Sequence, residues 1–211
     1  MKITWIGHSC FRIEQDGHAI IIDPYEDGSV QGIGPVREKA DMVLCSHEHG
    51  DHNARKLVTL SGVDEKELPF TVTKLETYHD DVKGAKRGPN TIHMISDGKA
   101  KIAHMGDLGC EPTAEQMEKL QGLDVMLVPV GGFFTIDAGQ AAKITEKLMP
   151  KVVIPMHYRS VNKGFGFDVL GTVEEFTKKM SEVKIFTGSE LDTEDLPQAK
   201  VVVLQPRESV K

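Results

Sequence analysis

Ser46-His47-Glu48-His49-Gly50-Asp51-His52-Asn53 is the stretch on which the reading of this chain turns. It follows directly on Met42-Val43-Leu44-Cys45, a short run apolar at consecutive positions, as expected of a strand buried on both faces. In an extended segment residues two apart point the same way, so His47 and His49 can converge on one ion. Gly50 permits a sharp turn, after which Asp51 and His52 address a second ion nearby. Imidazole nitrogen with carboxylate oxygen is a typical zinc donor set. A plain polar loop gains nothing from clustering imidazoles that repel when protonated.

Four ligands do not close two sites, so the remainder must come from elsewhere in the chain. Three candidates each lie after a predicted strand: His79 in Glu76-Thr77-Tyr78-His79-Asp80-Asp81, Asp107 in His104-Met105-Gly106-Asp107, and His157 in Ile154-Pro155-Met156-His157-Tyr158. Loops at one end of a sheet commonly assemble a site in this way. Gly106 allows a close backbone approach beside Asp107.

Outward from these residues, the chain reads as one unit, a single domain over residues 1–211, without repeats or long linkers. Alternation predicts strands at 2–6, 10–14 and 18–23, with a hairpin turn at Asp16-Gly17. Further strands are expected at 42–45, 70–73, 91–96, 100–104, 125–130, 152–156, 184–187 and 201–204. Thr113 with Gln116, Asp137, and Thr172 with Glu175 mark three helix starts, and Asn53 is expected to cap a fourth helix running through Leu57 and Leu60. Hairpins early and helix–strand alternation later suggest two sheets face to face, covered by helices.

The composition excludes some functions. With 25 Lys+Arg against 32 Asp+Glu the net charge is −7, which argues against a surface built to grip nucleic-acid phosphates. No apolar run approaches the roughly 18 residues of a membrane span, and the first residues lack the apolar core of a secretion signal. Cys10, Cys45 and Cys110 are odd in number and widely spaced, which suits a reducing cytoplasm.

The ordered set His47-x-His49-x-Asp51-His52, His79, Asp107 and His157 resembles the ligand motifs of the metallo-β-lactamase superfamily, with Asp23 in Ile20-Ile21-Ile22-Asp23-Pro24 matching the family's early aspartate. The resemblance implies an α+β fold, an αββα four-layer sandwich with a dinuclear metal site along one edge of the sheets. It implies that His47, His49 and His79 hold one metal, that Asp51, His52 and His157 hold a second, and that Asp107 bridges them. Zinc is the metal expected, with manganese and iron compatible with the donors. The implied reaction is hydrolysis of an ester, lactone, amide or phosphodiester of a small molecule by metal-activated hydroxide, with Asp51 orienting the nucleophile. Ile6-Gly7-His8-Ser9-Cys10-Phe11 and Gly88-Pro89-Asn90 resemble a cytosolic branch that includes ascorbate-phosphate lactonases and phospholipase D-type enzymes acting on N-acyl lipids.

Other readings compete with this one. Diiron oxidoreductases of the superfamily typically carry Glu where His49 stands. Nucleic-acid phosphodiesterases share the ligands but add domains or an RNA-gripping arm. A metal-binding scaffold or sensor would keep the site without turnover. Around the ligands, His8, Asn90, Tyr158 and Arg159 are candidate substrate contacts; each also has an ordinary structural reading as a bonded histidine, a turn residue or a surface ion pair. His104 is expected in the core or supporting a ligand, His18 and His93 are expected to be structural, and Cys45 is expected to be a buried small residue. The Gly-rich loops at 131–135 and 162–167 carry Phe residues that serve either as an apolar lid or as packing anchors.

Overall fold

The computed structural model describes residues 1–207. One sheet is formed by β1 (Lys2–Gly7), β2 (Cys10–Gln15), β3 (His18–Ile22), β5 (Met42–Leu44) and β13 (Glu190–Asp192), ordered β13-β1-β2-β3-β5. A second contains β7 (Thr71–Tyr78), β8 (Pro89–Ser96), β9 (Lys101–His104), β10 (Val125–Pro129), β11 (Val152–Met156), β12 (Val183–Ile185) and β14 (Val201–Val203), ordered β12-β14-β11-β10-β9-β8-β7. A small parallel pair joins β4 (Glu38–Ala40) to β6 (Val58–Leu60).

Alternation in the first three strands assigns their two faces. Ile3, Trp5, Phe11, Ile13, Ile20 and Ile22 enter a main core shared with Ile92, Ile102, Leu127 and Ile154 of the second sheet. The intervening Ile6, Cys10, Ala19 and Ile21 pack on the opposite face against Tyr25, Val36, Ala40 and Val58. Helices α1 (Ala114–Lys119), α2 (Ala138–Leu148) and α3 (Val173–Thr177) contribute Met117, Ala141, Ile144, Leu148 and Phe176 to the main core. Thr113 accepts a hydrogen bond from the backbone of its expected partner Gln116, and the expected cap Asp137 accepts one from Gln140 N. This is the expected α+β sandwich.

One predicted helix is absent. Residues 53–60 form a single 3₁₀ turn at Arg55–Leu57 and then strand β6, because Val58 is drawn into the outer apolar cluster and pairs with Glu38 of β4. Strands β4, β6 and β13 carry too little alternation over three residues to be read from sequence. No helix among the described residues is long and apolar enough to cross a membrane.

Topology places the chemistry. β9, β10 and β11 run parallel, with Leu127 beside His104 and Pro129 beside Met156, so Asp107 and His157 emerge at one edge. β7 is antiparallel to β8, which is antiparallel to β9, so β7 also ends there and delivers His79. In the first sheet β3 and β5 are parallel, and their ends bring Asp23 beside Ser46. The Thr91 N–H donates to Ser46 O and ties the two edges together.

Candidate metal centre

Asp107, at 2% exposure, lies where four imidazoles meet. Its Oδ2 is 3.1 Å from His157 Nε2, 3.3 Å from both His52 Nε2 and His79 Nε2, and 3.9 Å from His47 Nε2. Asp51 Oδ2 is 3.5 Å from His52 Nε2 and 3.3 Å from His8 Nε2. The exposed His49 completes the cluster, its ring centroid 4.6 Å from that of His47. Potential donor atoms gather in three overlapping sets: His47, His49 and His79; His8, Asp51, His52 and His157; and His47, His52 and Asp107.

The fully buried Asp23 fixes the histidine tautomers. Its carboxylate accepts from Ser46 N at 2.6 Å, from Ser46 Oγ at 2.6 Å and from His52 Nδ1 at 2.9 Å. The Ser46 hydroxyl has one proton and gives it to Asp23, so His47 Nδ1, 2.9 Å from Ser46 Oγ, must donate to that oxygen. Both rings therefore carry a proton on Nδ1, and in the neutral form both turn a bare Nε2 towards Asp107. These nitrogens and Asp107 Oδ1 are buried without hydrogen-bond partners among the described residues. Lone pairs facing a carboxylate repel unless a cation lies between them, so the donor set fits divalent metal ions.

The titration of these groups agrees with that reading. Burial, reinforced by the charge of His52, holds His47 down at about 3. Burial also opposes charge on His52, but Asp107 and Asp23 outweigh it and push its pKa well up, so without metal a proton supplies the missing cation. Burial would raise Asp107 too, yet His157 and His52 keep it well below the ordinary range.

Gly106 makes the close approach expected of it. Its φ is 58°, and a methyl group on its Cα would stand 2.3 Å from Asn90 Oδ1 and 2.6 Å from Ser46 Cβ. Gly106→Ala is expected to lower stability by about 2–3 kcal/mol and to weaken metal binding, read by thermal denaturation and by metal content after dialysis.

The four residues proposed from sequence as substrate contacts lie elsewhere than the cleft wall. His8 is 1% exposed, and its Nε2 meets the same Asp51 oxygen that faces His52. Burial and the neighbouring His157 keep it neutral, at about 4, against the opposing pull of Asp51, so it contacts Asp51 as a neutral imidazole. Asn90 is fully buried; its amide donates to Thr77 Oγ1 and Met105 O, and its Oδ1 accepts from Asp107 N. It props the Asp107 loop from below. His157 adopts φ 51°, which turns the chain so that Tyr158 packs between Trp5 and Phe165, with ring centroids 5.6 and 5.8 Å away. Arg159 lines a separate depression with Gln31, Ser160 and Asp168.

The remaining expectations divide similarly. His104 is buried, bonded to Ser9 O, and accepts from Gly106 N, supporting the loop before Asp107. His93 contacts Cys45 O and His18 pairs with Asp41. Cys45 is half-buried, and all three cysteines are free thiols.

A cleft of about 490 Å³ opens over the cluster, lined by His49, Asp51, His79, Asp107 and His157 together with Ser29, Arg87, Phe134 and Phe167. The Phe loops therefore split in role. Phe134 and Phe167 face the cleft, whereas Phe165 anchors on Trp5 with centroids 5.9 Å apart. Sequence reading gives no warning of Arg87 or Ser29, which carry no motif.

Residues 2–157 match the model of a beta-lactamase superfamily domain. A UPF0173 metal-dependent hydrolase of Hyperthermus butylicus is 31% identical over 98% of this chain and 97% of its own length. Among solved structures, a Thermotoga maritima protein assigned to the Zn-dependent hydrolases of the metallo-beta-lactamase superfamily superposes with a TM-score of 0.75 at 32% identity, covering 96% of this chain and 97% of that one. The metallo hydrolase Igni18 of Ignicoccus hospitalis shares the fold at 24% identity and a TM-score of 0.66, covering 99% and 97%. This chain belongs to the metallo-β-lactamase superfamily and is one of its metal-dependent hydrolases.

Proposed function

We propose that the chain hydrolyses an ester, lactone, amide or phosphodiester of a small molecule at a dinuclear centre. His47, His49 and His79 would hold one divalent cation, Asp51, His52 and His157 would hold the other, and Asp107 is placed to serve both. The observation that carries this reading is the convergence of four Nε2 atoms on one Asp107 oxygen, with two of those nitrogens fixed as bare acceptors through Asp23. Nitrogen-rich donors with carboxylates favour zinc, and manganese or iron suits the same atoms. Two such cations, when bound, supply Lewis acidity and a water of lowered pKa.

The chain's own residues supply the orientation. Burial opposes ionisation of Asp51, but contacts from His52 and His8 keep its carboxylate well below the ordinary range, so it can accept a hydrogen bond from the attacking water. His8, whose Nε2 lies 3.3 Å from Asp51 Oδ2, helps fix the direction of that carboxylate. Phe134 and Phe167 wall the cleft and limit access of bulk water to the reacting bond. A volume of about 490 Å³ suits a small molecule. The three free thiols favour a reducing cytoplasm.

Metal analysis, followed by a screen of esters, lactones, amides and phosphodiesters after zinc or manganese loading, tests the proposal. Turnover of one of these classes that is lost on chelation supports it, and tightly metallated protein inert towards all of them favours a sensor. Asp51→Ala is expected to cut turnover by about 10³-fold or more and to loosen one metal equivalent; full activity in that variant refutes the role given to Asp51.

A further inference from the structure

We infer that Arg87 is an anion-binding residue of the cleft, and that the substrate carries a carboxylate or phosphate group beside an apolar portion. The inference rests on the cleft being the substrate site of the proposed hydrolase. Arg12, Arg37, Arg55 and Arg207 each face a carboxylate, whereas Arg87 and Arg159 have no acidic partner among the described residues, and of these two only Arg87 lines the cleft. Among the described residues Arg87 is also the one Lys or Arg on the cleft wall, which it shares with His49, Asp51, His79, Asp107 and His157.

The guanidinium is held in place for this task. Nη2 donates to Phe133 O at 3.0 Å, and the group lies 5.6 Å from the centroid of the Phe134 ring. These contacts occupy one edge and one face, and leave donors of the planar fork for a carboxylate or phosphate. The backbone beneath is equally fixed. Asp80, 2% exposed and next to His79, accepts from the N–H groups of Val82, Gly84, Lys86 and Arg87 at 2.7–2.9 Å. One carboxylate thus locks residues 80–87 into a closed loop whose first turn adjoins a metal-site histidine and whose last residue is Arg87. Phe134 and Phe167, with ring centroids 6.2 Å apart, provide an apolar wall beside the cation. A substrate matching this cleft places its scissile bond at the His/Asp cluster, its anion on Arg87 and its apolar part against the two Phe rings.

Titration calorimetry with zinc-loaded protein tests this, using phenylphosphonate and phenylacetate as anionic probes and benzyl alcohol as the neutral one. The wild type should bind at least one anion more tightly than benzyl alcohol. Arg87→Met should weaken that anion by about 10–100-fold while leaving benzyl alcohol within about twofold. Arg87→Lys should restore part of the loss, because it returns the charge without the fork. The more strongly affected anion identifies the group recognised. Equal loss for neutral and anionic probes would mean that Arg87 only holds the Phe133–Phe134 loop, and would overturn the inference. So would unchanged anion binding in Arg87→Met, or no preference for either anion in the wild type. Hydrolysis of esters, lactones, amides and phosphodiesters, with and without an added carboxylate or phosphate group, is followed in the same preparations. A binding difference without any turnover overturns the reaction proposed above and leaves the anion site standing.

Discussion

Asp107→Asn should strip the protein of metal and of activity together. The substitution keeps the size of the side chain and removes the one charge that four imidazoles share at 3.1–3.9 Å. Deleting one partner of a buried charge cluster costs about 3–5 kcal/mol, which corresponds to a loss of roughly 10²–10⁴ in metal affinity. Turnover at saturating zinc should fall by at least about 10³-fold, because the proposed dinuclear centre would lose the carboxylate charge shared by its imidazoles. The metal-free variant should also bind fewer protons near neutrality. Without Asp107, the first of the two carboxylates that raise His52, that ring loses its main reason to stay charged. Proton release on zinc addition, followed with a pH indicator, should therefore be smaller than in the wild type. Wild-type metal content in Asp107→Asn would remove Asp107 from the centre.

Asp23→Ala should have the second largest effect, and through a different route. Asp23 stands behind the donor cluster; it accepts three hydrogen bonds in a fully buried position, and thereby sets the tautomers of His47 and His52. Removing it leaves Ser46 N, Ser46 Oγ and His52 Nδ1 without their acceptor. The expected loss of stability is about 3–5 kcal/mol, with metal affinity down about 10–100-fold as the rings lose their orientation. Asp23→Asn separates the two effects. Its oxygen can still accept from Ser46, but it no longer carries the charge that favours a proton on His52 Nδ1, so metal affinity should fall more than stability.

Asp23 also gives the metal-free protein a defined acid sensitivity. Burial would raise its pKa, but the charge and hydrogen bond of His52, with Ser46, hold it at about 2 against an ordinary 3.8. A carboxylate depressed on folding adds stability that is complete above its unfolded pKa and is lost as pH falls through the folded one. The contribution, about 2 kcal/mol, should therefore disappear between about pH 4 and pH 2. Denaturant midpoints of the wild type and Asp23→Asn measured across that window should converge towards the acid end.

The parts of the site legible in the sequence are those written in local spacing. His47, His49, Asp51 and His52 fall within one loop after one strand, so periodicity alone brings them together. His79, Asp107 and His157 lie far apart in the chain, and their places after predicted strands, with the resemblance to a family, point to them; the common edge reached by β7, β9 and β11 shows why they meet. The expected substrate contacts fall off the cleft wall because adjacency in sequence does not carry over to adjacency in space. The positive φ of His157 sends Tyr158 into the core, and His8, at positive φ in the turn between β1 and β2, is buried against Asp51. Asn90 belongs to an ordinary-looking turn motif, yet its amide is consumed by Thr77, Met105 and Asp107. Arg87 is hidden in the sequence because its place depends on four backbone N–H groups folding around Asp80. The only trace of that loop is the pairing of Asp80-Asp81 with Gly84 and Gly88. Over residues 53–60 a capping signal and apolar spacing point to a helix, whereas an outer apolar cluster and a parallel partner strand decide the conformation.

Crystallography of the zinc-loaded protein, with data collected on both sides of the zinc absorption edge, tests the dinuclear centre most directly. Two anomalous peaks about 3.5–4 Å apart are expected, one contacted by His47, His49 and His79, the other by Asp51, His52 and His157, with an Asp107 oxygen reaching both. A single peak, or zinc bound away from Asp107, would contradict the account.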